Sequence, residues 1–599
     1  MKNRIVPFFI FLLLLPACKT KKDISISGEN IIRLPFPTEI KGFDPALAED
    51  LYSHTAISQV YESLYQYSYL ERPYKVEPLL AEKMPDISPD GLTYTVKIKK
   101  SVYFNDDPCF QKSGNSKPDP RELTAEDFIY SFKRIADIKT RSNGWWIFDG
   151  KIEGLNEFRE CSKKTKEANM DYSMKVKGLT APDRYTLRIK LTKPYPQLLY
   201  ILAMSYTSAV AKEAVEHYDS EFINHPVGTG PYRLKNWVRN SIIAFEKNPG
   251  YRKGEKYPSK GEPDDEKNGF LNDAGKKIPF IDTVEFHIFL EDQPMWLNFL
   301  KGKIDCSGIP KDNFSSAITP NKELVPKLKK KGIRLWKVPM LDVTYTAFNM
   351  ENALLGRNKK LRQAMSLAHH PDLLIELFYN GRAIPAQSPI PPGLDGYDAG
   401  YKNPYQGPGI LKAKKLLDEA GYPNGKGLPP LEYEVSGTGT TERQFAELFK
   451  NEMAELGIKI NVNYNTWPEF LSKINQKRAQ IYGLAWAGDY PDAENFLQLF
   501  YSKNAAPGPN NTNYKNPEFD LLYEKISVMQ PSSERTKIYQ KMAKMVVEDT
   551  PWIMGVHRMA YALNHSWLKN YKPHDIGHNF IKYYRIDTQE RSRLLKEKF

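Results

Sequence analysis

The sequence predicts an α/β protein of several domains, and three observations carry that prediction. A chain of 599 residues is too long for one compact core. The stretch DGLTYTVKIKKSVYF (90–104) leaves an Asp-Gly turn with Tyr94, Val96 and Ile98 alternating against polar neighbours, the period-two signature of a half-buried strand. The stretch ERQFAELFKNEMAELGIKINVNYN (442–465) reads as a long amphipathic helix, a stop at Gly457 and a strand. Helices alternating with strands argue against an all-β or all-α chain.

The other elements follow in chain order. MKNR supplies a basic start, and IVPFFIFLLLLP is an apolar run of signal-peptide length, too short for a permanent membrane span. It ends in Leu15-Pro16-Ala17-Cys18 before the polar KTKKD, which resembles a bacterial lipobox. Residues 1–18 are therefore expected to be a lipoprotein signal peptide, with Cys18 becoming the lipidated first residue. Such a chain is anchored to a membrane without spanning it. Residues 19–30 read as a polar tether. Thr124 precedes AEDFIYSFKRI, where Phe128, Phe132 and Ile135 fall at helical spacing, with Thr124 as N-cap and Asp127 as first-turn acid. VGTGPYRLKNW (227–237) is a glycine turn entering a strand, and the polar, Gly/Pro-containing run 251–279 reads as an exposed insertion. LRQAMSLAHH (361–370) and LKAKKLLDEAGY (411–422) are helices, the second closed by Gly421. No later run has the length of a membrane span, so the remainder is expected to be soluble and extracytoplasmic.

Composition narrows the function. Hydrophobic residues at 41% and charged residues at 26% are ordinary for a globular chain. Aromatics at 12% fit both core packing and a ring-lined pocket. The formal charge of +13 is scattered, with no basic stripe interleaved with stacking aromatics, so no nucleic-acid partner is expected. Cys109 and Cys161 lie in loop-like polar segments and could pair in an oxidising compartment, leaving Cys306 over. No Cys or Cys/His spacing reads as a zinc site, and no metal or cofactor is expected.

Catalytic motifs are missing. There is no G-x-S-x-G, no H-E-x-x-H, and GFLNDAGKK has the wrong spacing for a phosphate loop. The Pro in VGTGPY removes an N–H that a phosphate cradle would need. His574 and His578 in HDIGH are four apart and could share a helix face, but no third ligand accompanies them, which favours a structural role; His369-His370 reads the same way. An enzyme is not expected. The stretch WAGDYPDAENF (486–496) concentrates Asp489, Asp492 and Glu494; Asp492 and Glu494 read as turn and helix-start acids.

Several segments together resemble the extracytoplasmic solute-binding proteins of ABC importers, in the peptide/nickel class that includes oligopeptide- and dipeptide-binding proteins. They are FDPALAEDLYSHTAISQVYESLY, LAEKMPDISPDGLTYTVKIKKSVYFND, ELTAEDFIYSFKRI, HPVGTGPYRLKNW with FEKNPGY, LRQAMSLA, AKKLLDEAGYPNG and WAGDYPDAENFLQLFYS, in the family's order. The resemblance implies a two-lobed periplasmic-binding-protein fold, hinged and discontinuous, with an additional inserted domain. Lobe I would comprise 24–62, 206–341 and 557–599, the additional domain 63–205, and lobe II 342–556. It implies a monomer that closes around an oligopeptide and delivers it to a membrane permease served by separate ATPase subunits. The other function compatible with the resemblance is a surface lipoprotein of this fold that binds another solute or a host component, in adhesion or signalling.

The resemblance also carries site residues. Asp489, three after Trp486, corresponds to the acid that pairs with a peptide's α-ammonium, and main-chain groups around Ala485 and Ala487 would bind an extended ligand. Trp467 and Trp486 match pocket aromatics, and Glu49 and Leu51 match ligand-facing positions of the other lobe. The chain departs from the pattern in three places. Trp145 or Trp146 in SNGWWIF stands where peptide binders have another aromatic. Gly483 replaces a basic residue used for the ligand carboxylate, with Arg443 as a substitute cation. His370-Pro371 replaces an acidic-basic pair.

Overall fold

The computed structural model describes residues 29–598 apart from 49, 73, 112–117, 166–169, 408 and 438. The expected signal peptide with Cys18, and most of the 19–30 tether, lie outside the described residues. The tether's last two residues are already bonded into the fold: Glu29 pairs with Arg33 at 2.8 Å and Asn30 donates to the Phe280 carbonyl at 2.8 Å.

Two lobes are built on separate sheets. In the first lobe, Ile31–Phe36 alternates buried and half-buried residues and runs parallel to Thr283–Ile288, with Ile242–Lys247 and Tyr232–Val238 completing a four-stranded sheet. The glycine turn before Tyr232 is set by close approach: a Cβ on Gly228 or Gly230 would fall 2.1 or 2.6 Å from the Val60 carbonyl oxygen. A second sheet of this lobe orders Cys306–Ser307, Val556–His565 and Ile333–Pro339. Near the chain's end, buried Arg591 pairs with Asp305 at 2.7 Å and donates to the Ile31 carbonyl at 2.8 Å, which ties the last helix to the first strand.

The other lobe holds a five-stranded mixed sheet in the order Ile460–Asn465, Leu431–Ser436, Ile481–Ala487, Asp342–Phe348, Trp552–Met554. The helix predicted from 442 to the stop at Gly457 is observed as Thr440–Ala454, and Gly457 takes the left-handed conformation (φ 76°) that stops the segment before its strand. The chain passes between the lobes' sheets at Met340-Leu341 and again at Gly555. There Asp342, buried, accepts the Arg558 backbone N–H at 3.0 Å and pairs with the Arg558 guanidinium.

A further four-stranded sheet carries the period-two segment as Thr93–Lys97, with Tyr94 and Val96 buried, beside Thr186–Lys190. The helix Ala125–Ala136 packs near it, and the expected cap is a full capping box between Thr124 and Asp127.

Four expectations are corrected. Segment 251–279 is not an exposed insertion: Tyr251, Tyr257, Phe270 and Ile278 are buried, and its acids Asp265 and Asp273 pair with Lys572 and Arg585, each at 2.7 Å. Its polar average hides single apolar and acidic anchors that fasten it to the C-terminal segment. Cys161 lies in the helix Leu155–Lys164 rather than in a loop, and Cys109, Cys161 and Cys306 are all free thiols. His574 and His578 share no helix face, because His574 Nδ1 accepts the N–H groups of Ile576 and Gly577, closing a tight turn instead. Glu494 begins the short helix Glu494–Leu497, but its buried side chain accepts hydroxyls of Tyr490 (2.7 Å) and Tyr523 rather than capping.

Candidate functional site

The strand Ile481–Ala487 is the centre of the site. On one side it pairs over its whole length with Asp342–Phe348, with Ala485 opposite Thr344, Trp486 opposite Val343 and Ala487 opposite Asp342. On the other side Leu431–Ser436 reaches only Ile481 and Tyr482. Among the described residues, then, Gly483–Ala487 has no strand along that second edge. Alternation separates the side chains: Tyr482, Leu484 and Trp486 take one face, while Gly483, Ala485 and Ala487 leave the other nearly bare. Ala485 and Ala487 are exposed. An unpaired edge with small side chains admits an extended ligand main chain as an added strand.

The loop after the strand is organised by Asn495. Its Oδ1 accepts Trp486 Nε1 at 2.9 Å and the Asp489 N–H at 3.0 Å, while its Nδ2 donates to Asp489 Oδ2 at 3.0 Å. Asp489 is thus oriented by an amide, and among the described residues no cation pairs with it. Burial, helped by the charge of Glu494, pushes its carboxyl up to about 6 against the opposing Asn495 hydrogen bond. Asp492 is differently placed: it accepts the Glu494 N–H at 3.0 Å and Tyr539 Oη at 2.6 Å, and pairs with buried Arg535 at 3.0 Å. Of the three acids, Asp489 alone stands without a cation or a tyrosine hydroxyl.

Aromatic rings from distant parts of the chain meet this loop. Tyr490 stacks on Tyr200 (5.9 Å, 6°), Tyr200 stacks on Tyr67 (6.3 Å, 15°), and Tyr67 lies 6.0 Å from the His574 ring and 6.4 Å from Tyr74. Tyr74 Oη reaches Asp575 at 3.3 Å, and burial pushes the Asp575 carboxyl up to about 6. Among the described residues no group of three or more His, Cys, Asp or Glu could hold a metal ion.

The site is an acid without a counter-ion among the described residues, beside an open strand edge and walled by rings. Residues 75–508 match the family model of bacterial extracellular solute-binding proteins, family 5. The chain belongs to this family. Among the relatives of this family 5 protein, haem-binding protein A of Haemophilus influenzae is 26% identical, over 90% of this chain and 89% of its own. The dipeptide-binding protein of Escherichia coli is also 26% identical, over 84% of this chain and 85% of its own. Among solved structures, the periplasmic binding protein DppA of Helicobacter pylori, in complex with the peptide STSA, superposes with a TM-score of 0.72 at 25% identity. That superposition covers 93% of this chain and 97% of the other. No helix of the described residues is long and apolar enough to cross a membrane.

Within this family 5 fold, the sequence-derived site residues divide. Asp489, Trp486, Ala485 and Ala487 are gathered on one strand and its loop. Trp467 opens the helix Trp467–Asn475, 52% exposed; it stacks on Phe470, which in turn meets Tyr482 of the central strand. Leu51 is exposed as the first residue of the helix Leu51–Val60, just after its N-cap Asp50, and Glu49 lies outside the described residues. Trp145 packs within the inserted sheet region with the Arg159 guanidinium 4.6 Å above its ring. Arg443 is exposed on Thr440–Ala454 and lies 4.7 Å over Tyr464, on the edge strand two places from Ile481–Ala487. Sequence reasoning missed Asn495, Tyr67 and Tyr200, and read His574 as structural. Asn495 stood inside the quoted stretch, but no motif marks an amide that clasps a neighbouring acid, and the tyrosines converge only in three dimensions.

Proposed function

We propose that this chain is the receptor of an ABC importer and captures oligopeptides between its two lobes, with Asp489 as anchor for the ligand's α-ammonium. The carrying observation is Asp489 itself: a carboxylate crowded by protein and lacking a counter-ion is costly until a cation arrives with the ligand. The open edge at Gly483–Ala487 supports the same reading, because main-chain pairing tolerates any side-chain sequence. Trp486 and Trp467 wall the ligand on the second lobe, Leu51 and Glu49 meet it from the first, and Trp145 and Arg443 are secondary contacts. Peptide-binding names among the relatives, and a peptide in the Helicobacter structure, are further support.

In this reading lobe I is 24–62, 206–341 and 557–599, the additional domain 63–205 and lobe II 342–556. A lipidated Cys18 anchors a monomer to a bacterial membrane, and the closed, loaded form delivers peptide to a permease whose ATPase subunits are separate chains. Native mass spectrometry of purified protein with a randomised tripeptide mixture tests the reading. Retained peptides support it; haem retained in their place, as the Haemophilus relative's name prompts, would sink it.

A further inference from the structure

Two donors on neighbouring rings are buried without a partner among the described residues, and one of them, the Tyr67 hydroxyl, feels the charge of Asp489. His574 Nδ1 accepts N–H groups from Ile576 at 3.2 Å and Gly577 at 3.0 Å, so the ring proton sits on Nε2. That Nε2–H is closed off from solvent and has no hydrogen-bond partner among the described residues. Burial, reinforced by Arg72, His578 and Lys572, holds the ring neutral. The Tyr67 hydroxyl is likewise buried and unpartnered. Its ring lies 6.0 Å from His574, and burial, then Tyr200 and Asp489, hold the phenol protonated. The neighbouring Tyr74 hydroxyl is already taken by Asp575.

A lone orphaned donor is a defect; two on adjacent rings, one of them within range of the Asp489 charge, call for one acceptor. We propose that His574 Nε2–H and the Tyr67 hydroxyl form a donor pair that receives the carbonyl oxygen next to the ligand's ammonium. The inference rests on the peptide reading of Asp489 and deepens it: the acid takes the amino group, the pair takes the first carbonyl. The preferred ligand class is then an acyl chain with a free α-amino group. The pair also bears on closure. An empty closed cleft strands both donors, whereas a filled one satisfies them, so the ligand gains differential contacts in the closed state.

The test uses Tyr67→Phe, which removes only the hydroxyl, and His574→Asn, whose amide oxygen can still accept from Ile576 and Gly577. Both are compared with wild type by thermal melting without ligand and by titration with a tripeptide recovered from the randomised mixture. Affinity is expected to fall about tenfold in each variant, the size of one lost hydrogen bond, while the ligand-free melting of Tyr67→Phe stays level or rises because a buried unpaired donor is gone. A merely structural role would lower the ligand-free melting temperature and spare affinity. If Tyr67→Phe binds the peptide as tightly as wild type, the pair is overturned, whatever His574→Asn does. If wild type binds peptides and Asp489→Ala weakens them while both pair variants do not, the anchor survives and the pair does not. Wild type that retains no peptide removes both.

Discussion

Tyr490 lies face to face with Tyr200, ring centroids 5.9 Å apart and planes 6° from parallel. Tyr490 follows the central strand of the second lobe, yet it is buried in the same apolar cluster as the strands of the first. Such a stack would latch the proposed cleft. A stacked aromatic pair contributes about 0.5–1.5 kcal/mol beyond its area, so Tyr200→Leu should weaken peptide binding roughly two- to tenfold. It should also raise the radius of gyration in solution scattering. Tyr200 is the better choice because Tyr490 also donates to Glu494. Unchanged scattering and affinity would show that the stack does not latch the lobes.

Ligand binding should follow a bell in pH. The Asp489 carboxyl is raised from 3.8 to about 6 in the fold, so the ionised form is penalised above pH 6 and the penalty is relieved as pH falls towards 3.8. An ammonium ligand needs the carboxylate, so affinity should be flat from about pH 6 to about 8, where a peptide amino group loses its proton, and fall on both sides by up to tenfold per unit. Calorimetry at pH 5, 7 and 9 reads this directly. Asp489→Asn should abolish the acid limb. Glu494 faces the same loop and its charge helps raise Asp489, so Glu494→Gln is the control: the limb should remain and move to slightly lower pH.

Asp489→Ala should discriminate ligands as well as weaken them. Peptides with free amino termini should lose about 10- to 100-fold, the loss of a charge-assisted contact of roughly 1.5–3 kcal/mol, while N-acetylated peptides lose little. Equal losses for the two classes would remove the proposed anchor.

Stability should depend on a pair far from the cleft. Asp305 and Arg591 are both buried and lie 2.7 Å apart, and Asp305 also accepts Trp567 Nε1 at 2.7 Å and the Arg33 N–H at 2.7 Å. Asp305→Ala leaves a buried guanidinium without its acid and is expected to destabilise the first lobe by about 3–5 kcal/mol. Urea unfolding checks this, and a shift below 1 kcal/mol would contradict it.

Much of this was readable in the chain. Thr124 and Asp127 announced their capping box, Gly457 its stop, and Tyr94 with Val96 the buried face of a strand, because each rests on a few neighbouring residues. Asp489 and Trp486 were singled out through the order of the surrounding motifs. What escaped depends on distant partners. Asp265 and Asp273 look like solvent-facing acids until Lys572 and Arg585 meet them. HDIGH looked helical by spacing, but Nδ1 of its first histidine captures two main-chain N–H groups that a helix would use differently. Glu494 resembled a cap until two tyrosines closed on it.

The strand Val556–His565 lies in the middle of the first lobe's second sheet, between partners that precede it by more than two hundred residues. During synthesis Cys306–Ser307 and Ile333–Pro339 must therefore wait, with their inner edges open, while the whole second lobe is made between them. A nascent chain of this design stays pliable until nearly all of it exists. That delay suits a polypeptide threaded unfolded through an export channel, and it makes any fragment ending before residue 556 a poor candidate for independent expression.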